Sequence, residues 1–165
     1  MPATQQESHE ISVLAGQGET AKLATLVRKI AERECASPGE ILMACKDDFQ
    51  QTAAHIAAAA GQTRSIETLA ELLGTKDNRA AYFSMANRFS GDYPVHSAMR
   101  HGFLGAFKAL VASGADPTVK NRFGDMVVDY LGDFEQEEVL RVVEEHQGAV
   151  MPELRARLGL STGTK

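Results

Sequence analysis

The sequence lacks most of the features that announce the simplest functional classes. Its two cysteines, Cys35 and Cys45, form no C-x-x-C pair and have no histidine at zinc-ligand spacing. A metal knuckle or redox dithiol is therefore excluded, and reduced, buried structural thiols are expected. No run of about 18 apolar residues occurs, so no membrane-spanning helix is expected. The opening "MPATQQESHE" lacks the basic start and apolar middle of a secretory leader, which points to an intracellular setting, cytoplasmic or nuclear. Basic excess is missing too: 22 acids outweigh 17 bases, for a formal charge of -5. That balance argues against general binding to nucleic acid or an anionic membrane and makes a basic protein the easier partner. The glycines form neither GxxxxGK[ST] nor GxGxxG, so Gly114-Ala115-Asp116-Pro117 reads as a helix end and turn, not a phosphate cradle. No cofactor and no metal are expected.

What the chain does have is an internal repeat. With 165 residues, 44% of them hydrophobic, it can build one domain with a sizeable core. "GDYPVHSAMRHGFLGAFKALVASGADP" aligns with "GDMVVDYLGDFEQEEVLRVVEEHQGAV" at a period of 33, from Gly91 to Gly124, with His96 falling on Asp129 and Phe107 on Leu140. An earlier copy, "TAAHIAAAAGQTRSIETLAELLG", places His55 where His96 stands later; the 41-residue spacing leaves eight surplus residues in "TKDNRAAYFSMANRFS". A repeat array tolerates such an insertion between units. A degenerate first copy is "EISVLAGQGETAKLATLVRKI", with Gly18 in the place of Gly61. Each unit reads as a turn, a short helix such as 53–60 or 94–101, a glycine break, and a second helix such as 63–73 or 104–113. Leu104, Phe107, Leu110 and Val111 fall at helical spacing along one apolar face.

The period and the residues "TAAHIAAAAG", "YPVHSAMRHGFLGAFKALVASGADP" and "NRFGD" resemble the ankyrin-repeat family over residues 10–146. The middle copy carries the likeness best, with Pro94, His96, Ala98, Gly102, Leu110, Gly114, Ala115 and Asp116 in the family's pattern. Ala53-Ala54 and Val127-Val128-Asp129 depart from it. The resemblance implies an all-α solenoid of about four repeats with β-hairpin fingers and degenerate terminal caps. Residues 1–9 are then a flexible N-terminus and 147–165 a C-terminal tail, in which Leu154, Leu158 and Leu160 either add a helical turn or two or stay disordered. A narrower similarity, in "ILMACKDDFQQTAAHIAAAAG", "GDYPVH" and "GADPTVKNRFGD", is to small fungal ankyrin chaperones of one small-subunit ribosomal protein. Ser97 departs from that group, which often has a tryptophan there.

The family's binding mode makes finger tips and first helices the partner-facing elements. The tips are Lys46-Asp47-Asp48-Phe49, Asn87-Arg88-Phe89-Ser90 and Asn121-Arg122-Phe123-Gly124. Phe49, Phe89 and Phe123 form a candidate ladder of apolar anchors, with Asp47, Asp48, Arg88 and Arg122 supplying charge selection. Each ring either lies against its neighbouring finger or meets a partner, and one ring can do both. His55 and His96 occupy the turn position, where imidazole bonds local backbone, and they lack a nucleophile beside them. Arg100 and His101, at the end of a first helix, are further surface candidates. In "GDFEQEEVLRVVEEH", Asp133 and five glutamates either keep a terminal repeat soluble or form a landing site for a basic segment. The expected function is a non-enzymatic, monomeric protein-binding module. One reading makes it an escort of a basic ribosomal protein, which calls for acidic residues on the concave face. The alternative is an inhibitor or adaptor masking a signalling or transcription protein. The 75–90 insertion is open between an extended finger and a small helix.

Overall fold

A computed structural model of the protein describes residues 3–132, 135–149 and 151–160. In chain order the elements are α1 (Gln5–Gln17), α2 (Thr20–Glu34), α3 (Pro38–Ala44), α4 (Ala53–Ala59), α5 (Thr63–Leu73), α6 (Lys76–Phe83), α7 (Pro94–Arg100), α8 (Leu104–Ala112), the 3-10 turn η1 (Val127–Tyr130), α9 (Gln136–Gln147) and α10 (Pro152–Arg157). First helices stack in the order α1, α4, α7, η1, and second helices in the order α2, α5, α8, α9. The four pairs make a helical solenoid, and the two central pairs end within one residue of the expected limits. Neighbouring first helices approach closely because, His55 apart, the buried residues of α4 are small: Ala53, Ala54, Ala57 and Ala58. At the α1–α4 contact, a Cβ on Gly16 would meet Ile56 Cγ2 at 2.9 Å.

Additional helices interrupt the regular pattern. The insertion folds as the small helix α6 against α5, and α3 lies against α2 and α5. Ser37 starts α3 through a capping box: its hydroxyl accepts the Glu40 N–H at 3.2 Å, and the Glu40 carboxylate accepts the Ser37 N–H at 2.7 Å. The same device at Thr4 and Glu7 starts α1 at Gln5, within the stretch expected to be flexible. Arg33 of α2 then bonds Glu7 at 2.6 Å and holds its carboxyl at about 2. Cys45 is buried as expected, whereas Cys35 is exposed at the left-handed end of α2 (φ 53°).

The expected β-hairpin fingers are not there. Among the described residues no strand occurs; the connections between units are tight turns. One backbone bond closes the base of each turn: Asp47 N–H to Gln51 O at 3.0 Å, Asn87 N–H to Asp92 O at 2.9 Å, and Asn121 N–H to Asp125 O at 3.0 Å. A side-chain oxygen takes further N–H groups of the turn. Asp47 Oδ1 accepts from Phe49 and Gln51, Asn87 Oδ1 from Ser90 and Gly91, and Asn121 Oδ1 from Phe123 and Asp125. Donors committed to these Asx turns cannot form a ladder.

Two buried imidazoles couple successive units. His55 Nδ1 accepts the Thr52 N–H at 3.1 Å, which places the proton on Nε2, and Nε2 donates to Asp92 O of the next turn at 2.9 Å. His96 repeats the arrangement, accepting from Tyr93 N–H at 3.2 Å and donating to Asp125 O at 3.1 Å. In the last unit Asp129 caps Met126 N–H at 2.7 Å but has no proton to pass forward. Burial pushes His55 down to about 4 and moves His96 in the same direction.

The sign of the resulting pH dependence is fixed. Unfolded histidine takes up its proton near pH 6.5, whereas folded His55 resists until about 4. The stabilisation is therefore complete above pH 6.5 and is lost as pH falls toward 4, by roughly 3 kcal/mol for His55. Denaturant unfolding at about pH 7.5 and pH 5 is expected to show a drop of about 2 kcal/mol or more, with a shallower dependence in His55→Gln. An equal slope in both proteins would contradict the assignment.

Candidate functional site

The tips sit in register because each is bonded to the next. Arg88 N–H donates to Phe49 O at 2.7 Å, and Arg122 N–H donates to Ser90 O at 2.9 Å. The acceptor moves by one residue because the second tip contains the extra Ser90. That shift decides what the phenylalanines do. Phe49 and Phe89 lie with ring centroids 5.1 Å apart, a tilted pair, while no such contact joins Phe89 to Phe123 among the described residues. All three stay exposed, at 48%, 69% and 73% for Phe49, Phe89 and Phe123. The first two rings thus meet each other and solvent, and the third meets solvent without a ring neighbour.

The charged candidates divide by what holds them. Asp47 is half-buried and caps its own turn. Asp48 is exposed and accepts from Gln5 Nε2 of α1 at 3.2 Å. Arg88 and Arg122 are exposed on the tip row. Arg100 is tied into the fold: it bonds the buried carboxylate of Asp92 at 2.6 Å, donates to Tyr130 Oη at 3.1 Å, and lies 5.2 Å from the centre of the Tyr130 ring. The Tyr130 hydroxyl and the charge of Asp92 keep the Arg100 guanidinium raised above its usual range. His101 is exposed, its Nδ1 bonded to Ser97 O at 2.9 Å at the helix end. Asp133 lies outside the described residues.

Residue-type reasoning did not single out Asp92 and Asn121. Asn121 Nδ2 donates to Asp92 Oδ1 at 2.9 Å and to Tyr130 Oη at 2.8 Å, while its Oδ1 caps the third turn. The repeated Asn of "NRF" was the visible signal: a turn that starts with Asn and closes on Gly asks for an Asx bond.

Two surface features frame the tips. An open groove of about 530 Å³ lies where α1, α4 and the first tip meet, walled by Gln6, His9, Val13, Asp48 and Ile56. The tip row itself is cationic, with Arg88, Lys120 and Arg122 exposed and Asp48 the exposed acid. Other exposed acids include Glu67 and Glu71 of α5 and Glu137, Glu138 and Glu145 of α9 on the second helices, and Glu10 of α1, Glu40 of α3 and Asp77 of α6 elsewhere. Of these, Glu138 pairs with Lys108. Along the first-helix row the exposed acids are Glu10 of α1 and Asp129 of η1, the latter paired with Arg157, beside Asp48 at the first tip. Among the described residues, no cluster of three or more His, Cys, Asp or Glu could hold a metal ion, and no helix is long and apolar enough to cross a membrane.

Two substitutions test the tips. Gln50 holds φ 60°, where the other tips have Gly91 and Gly124, so Gln50→Gly is expected to stabilise by up to about 1 kcal/mol in denaturant unfolding. Asn121→Ala removes the third cap and leaves the buried Asp92 short of a donor. It is expected to cost about 2 kcal/mol or more, and a neutral result would remove Asn121 from the framework.

Comparison with known proteins agrees with this geometry. A family model described as ankyrin repeats (3 copies) matches residues 13–121. No curated protein matches the chain. Among solved structures, a chain in the crystal structure of the yeast ribosomal protein Rps3 in complex with its chaperone Yar1 is 26% identical, with a TM-score of 0.67, over 84% of this chain and 91% of that one. With the family model spanning well over half of the residues, this chain belongs to the ankyrin-repeat family and is a non-enzymatic protein-binding module.

Proposed function

We propose that the chain is an escort that holds a segment of another protein across its turn tips and the groove beside α1, with a basic ribosomal protein as the partner class. The observation that carries this reading is the likeness, over nearly the full length of both chains, to a chain in the complex of yeast Rps3 with its chaperone Yar1. Phe49, Phe89 and Phe123 support it, because large apolar groups exposed in series on a charged surface are where interfaces concentrate energy. Asp48, Arg88, Arg122 and His101 are the proposed polar contacts around them.

Charge decides how such a partner lies. Its basic residues are drawn by the net charge of -5 and meet Asp48 at the first tip, whereas Arg88 and Arg122 repel them farther along the row. The same cationic tips favour the second reading, an inhibitor or adaptor that masks an apolar or acidic surface of a signalling or transcription protein.

Affinity capture from the native cell with mass spectrometry separates these readings. The wild-type chain is expected to recover a basic ribosomal protein, and the triple variant Phe49→Ala, Phe89→Ala, Phe123→Ala to lose it by about 30-fold, the effect of about 2 kcal/mol. Raising salt from about 50 to about 300 mM is expected to weaken the escort complex, because its long-range attraction is screened. Recovery of no basic protein would overturn the escort reading, and full retention by a folded triple variant would remove the tips from the interface.

A further inference from the structure

A cleft of about 390 Å³ lies between the second and third tips, lined by Gln50, Asn87, Arg88, Tyr93, Lys120 and Arg122 among others. Three cations line it and no carboxylate does, in a molecule with more acids than bases. The nearby Asp92 offers nothing to the cleft, since it is buried and its two oxygens are bonded to Arg100 and Asn121.

The cations stand on fixed backbone. Arg88 follows Asn87 and Arg122 follows Asn121, each within a turn closed by its Asx bonds. Arg122 packs its stem on Gly91: a Cβ there would meet Arg122 Cγ at 2.8 Å and its backbone nitrogen at 3.1 Å. Gly91, at φ 66°, therefore lets the two tips close up and lays Arg122 along the cleft. Among the described residues its guanidinium has a single long bond, to Phe89 O at 3.4 Å. Like charges held together on a rigid frame repel one another, and an incoming anion relieves that repulsion without ordering the frame anew.

We propose that this cleft is a docking site for an extended acidic segment of a protein partner, its carboxylates among Arg88, Lys120 and Arg122 and a neighbouring apolar side chain on Phe89 or Phe123. Nucleic acid fits less well, because it carries a phosphate at every residue into the negative surface around the cleft, whereas an acidic segment with interleaved apolar residues sets its carboxylates only among the three cations. The site goes beyond the escort reading and does not require a basic partner.

The experiment is fluorescence anisotropy on the full chain with a labelled peptide of alternating Glu and Leu, its Lys and Leu counterpart, and a short single-stranded oligothymidine as competitor. The acidic peptide is expected to bind at least about tenfold tighter than the basic one, and Arg88→Glu with Lys120→Glu to lose at least about tenfold. Lys120→Gln, at a position that makes no turn bond, keeps the test valid if the double variant melts early, and is expected to weaken the acidic peptide alone. No binding of the acidic peptide up to about 1 mM, equal binding of the basic peptide, unchanged affinity in a folded charge variant, or displacement by the oligothymidine would each overturn the proposal. Failure to capture a ribosomal protein would leave these outcomes untouched, so the two readings fall separately.

Discussion

The stack depends on a proton that each buried imidazole holds on one nitrogen only. His55 and His96 accept a local N–H through Nδ1, and that bond forces the remaining hydrogen onto Nε2, aimed at the carbonyl of the following turn. One side chain thereby starts a helix and fastens the neighbouring unit. The first task does not survive a second proton, because Nδ1 would then face its own donor, while Nε2 would go on donating to the next turn. Neutrality is enforced by burial, the same burial that the alanines of α4 make possible by letting helices approach closely. Packing and hydrogen bonding here are one constraint, since loosening the first admits water to the second.

The turns carry that order outward. Because Asp47, Asn87 and Asn121 occupy the donors of their own loops, the tips are short and stiff, and a single backbone bond from each to the next suffices for alignment. Binding chemistry is then displayed on a frame whose geometry is settled before any partner arrives. Arg100 shows how closely frame and surface are interleaved: part of it is exposed, yet its charge neutralises the buried Asp92.

Much of this was legible in the residues. The 33-residue period and the His-x-Ala and Gly-Ala-Asp-Pro patterns located the central helix pairs because they are the turn and cap chemistry of the units themselves. The hairpin fingers were misjudged because family analogy supplied a ladder, while the Asn and Asp side chains in this sequence compete for the donors a ladder needs. The starts of α1 and α3 were signalled by Thr4 with Glu7 and Ser37 with Glu40, three residues apart; the repeat pattern reached α1 only from Glu10, and α3, seven residues long, is too short to show a period. The roles of Asp92 and Asn121 rest on contacts across 29 residues, which no local pattern encodes. Stacking of Phe49 on Phe89 but not of Phe89 on Phe123 turned on one inserted serine whose presence was visible and whose register effect was not.

The replacement of the turn histidine by Asp129 gives the array a polarity. Imidazole reaches toward the C-terminal neighbour, so each unit leans on the one that follows it. Peeling away the last unit strands a buried N–H on His96, whereas loss of the unit that holds His55 strands the carbonyl of Asp92, which tolerates an empty lone pair more readily. With aspartate at the final position the series ends on a group that has nothing to give forward, and Arg157 of α10 closes it with a cation from behind. The two ends of this short solenoid are therefore unequal: one can fray quietly, and the other must be sealed.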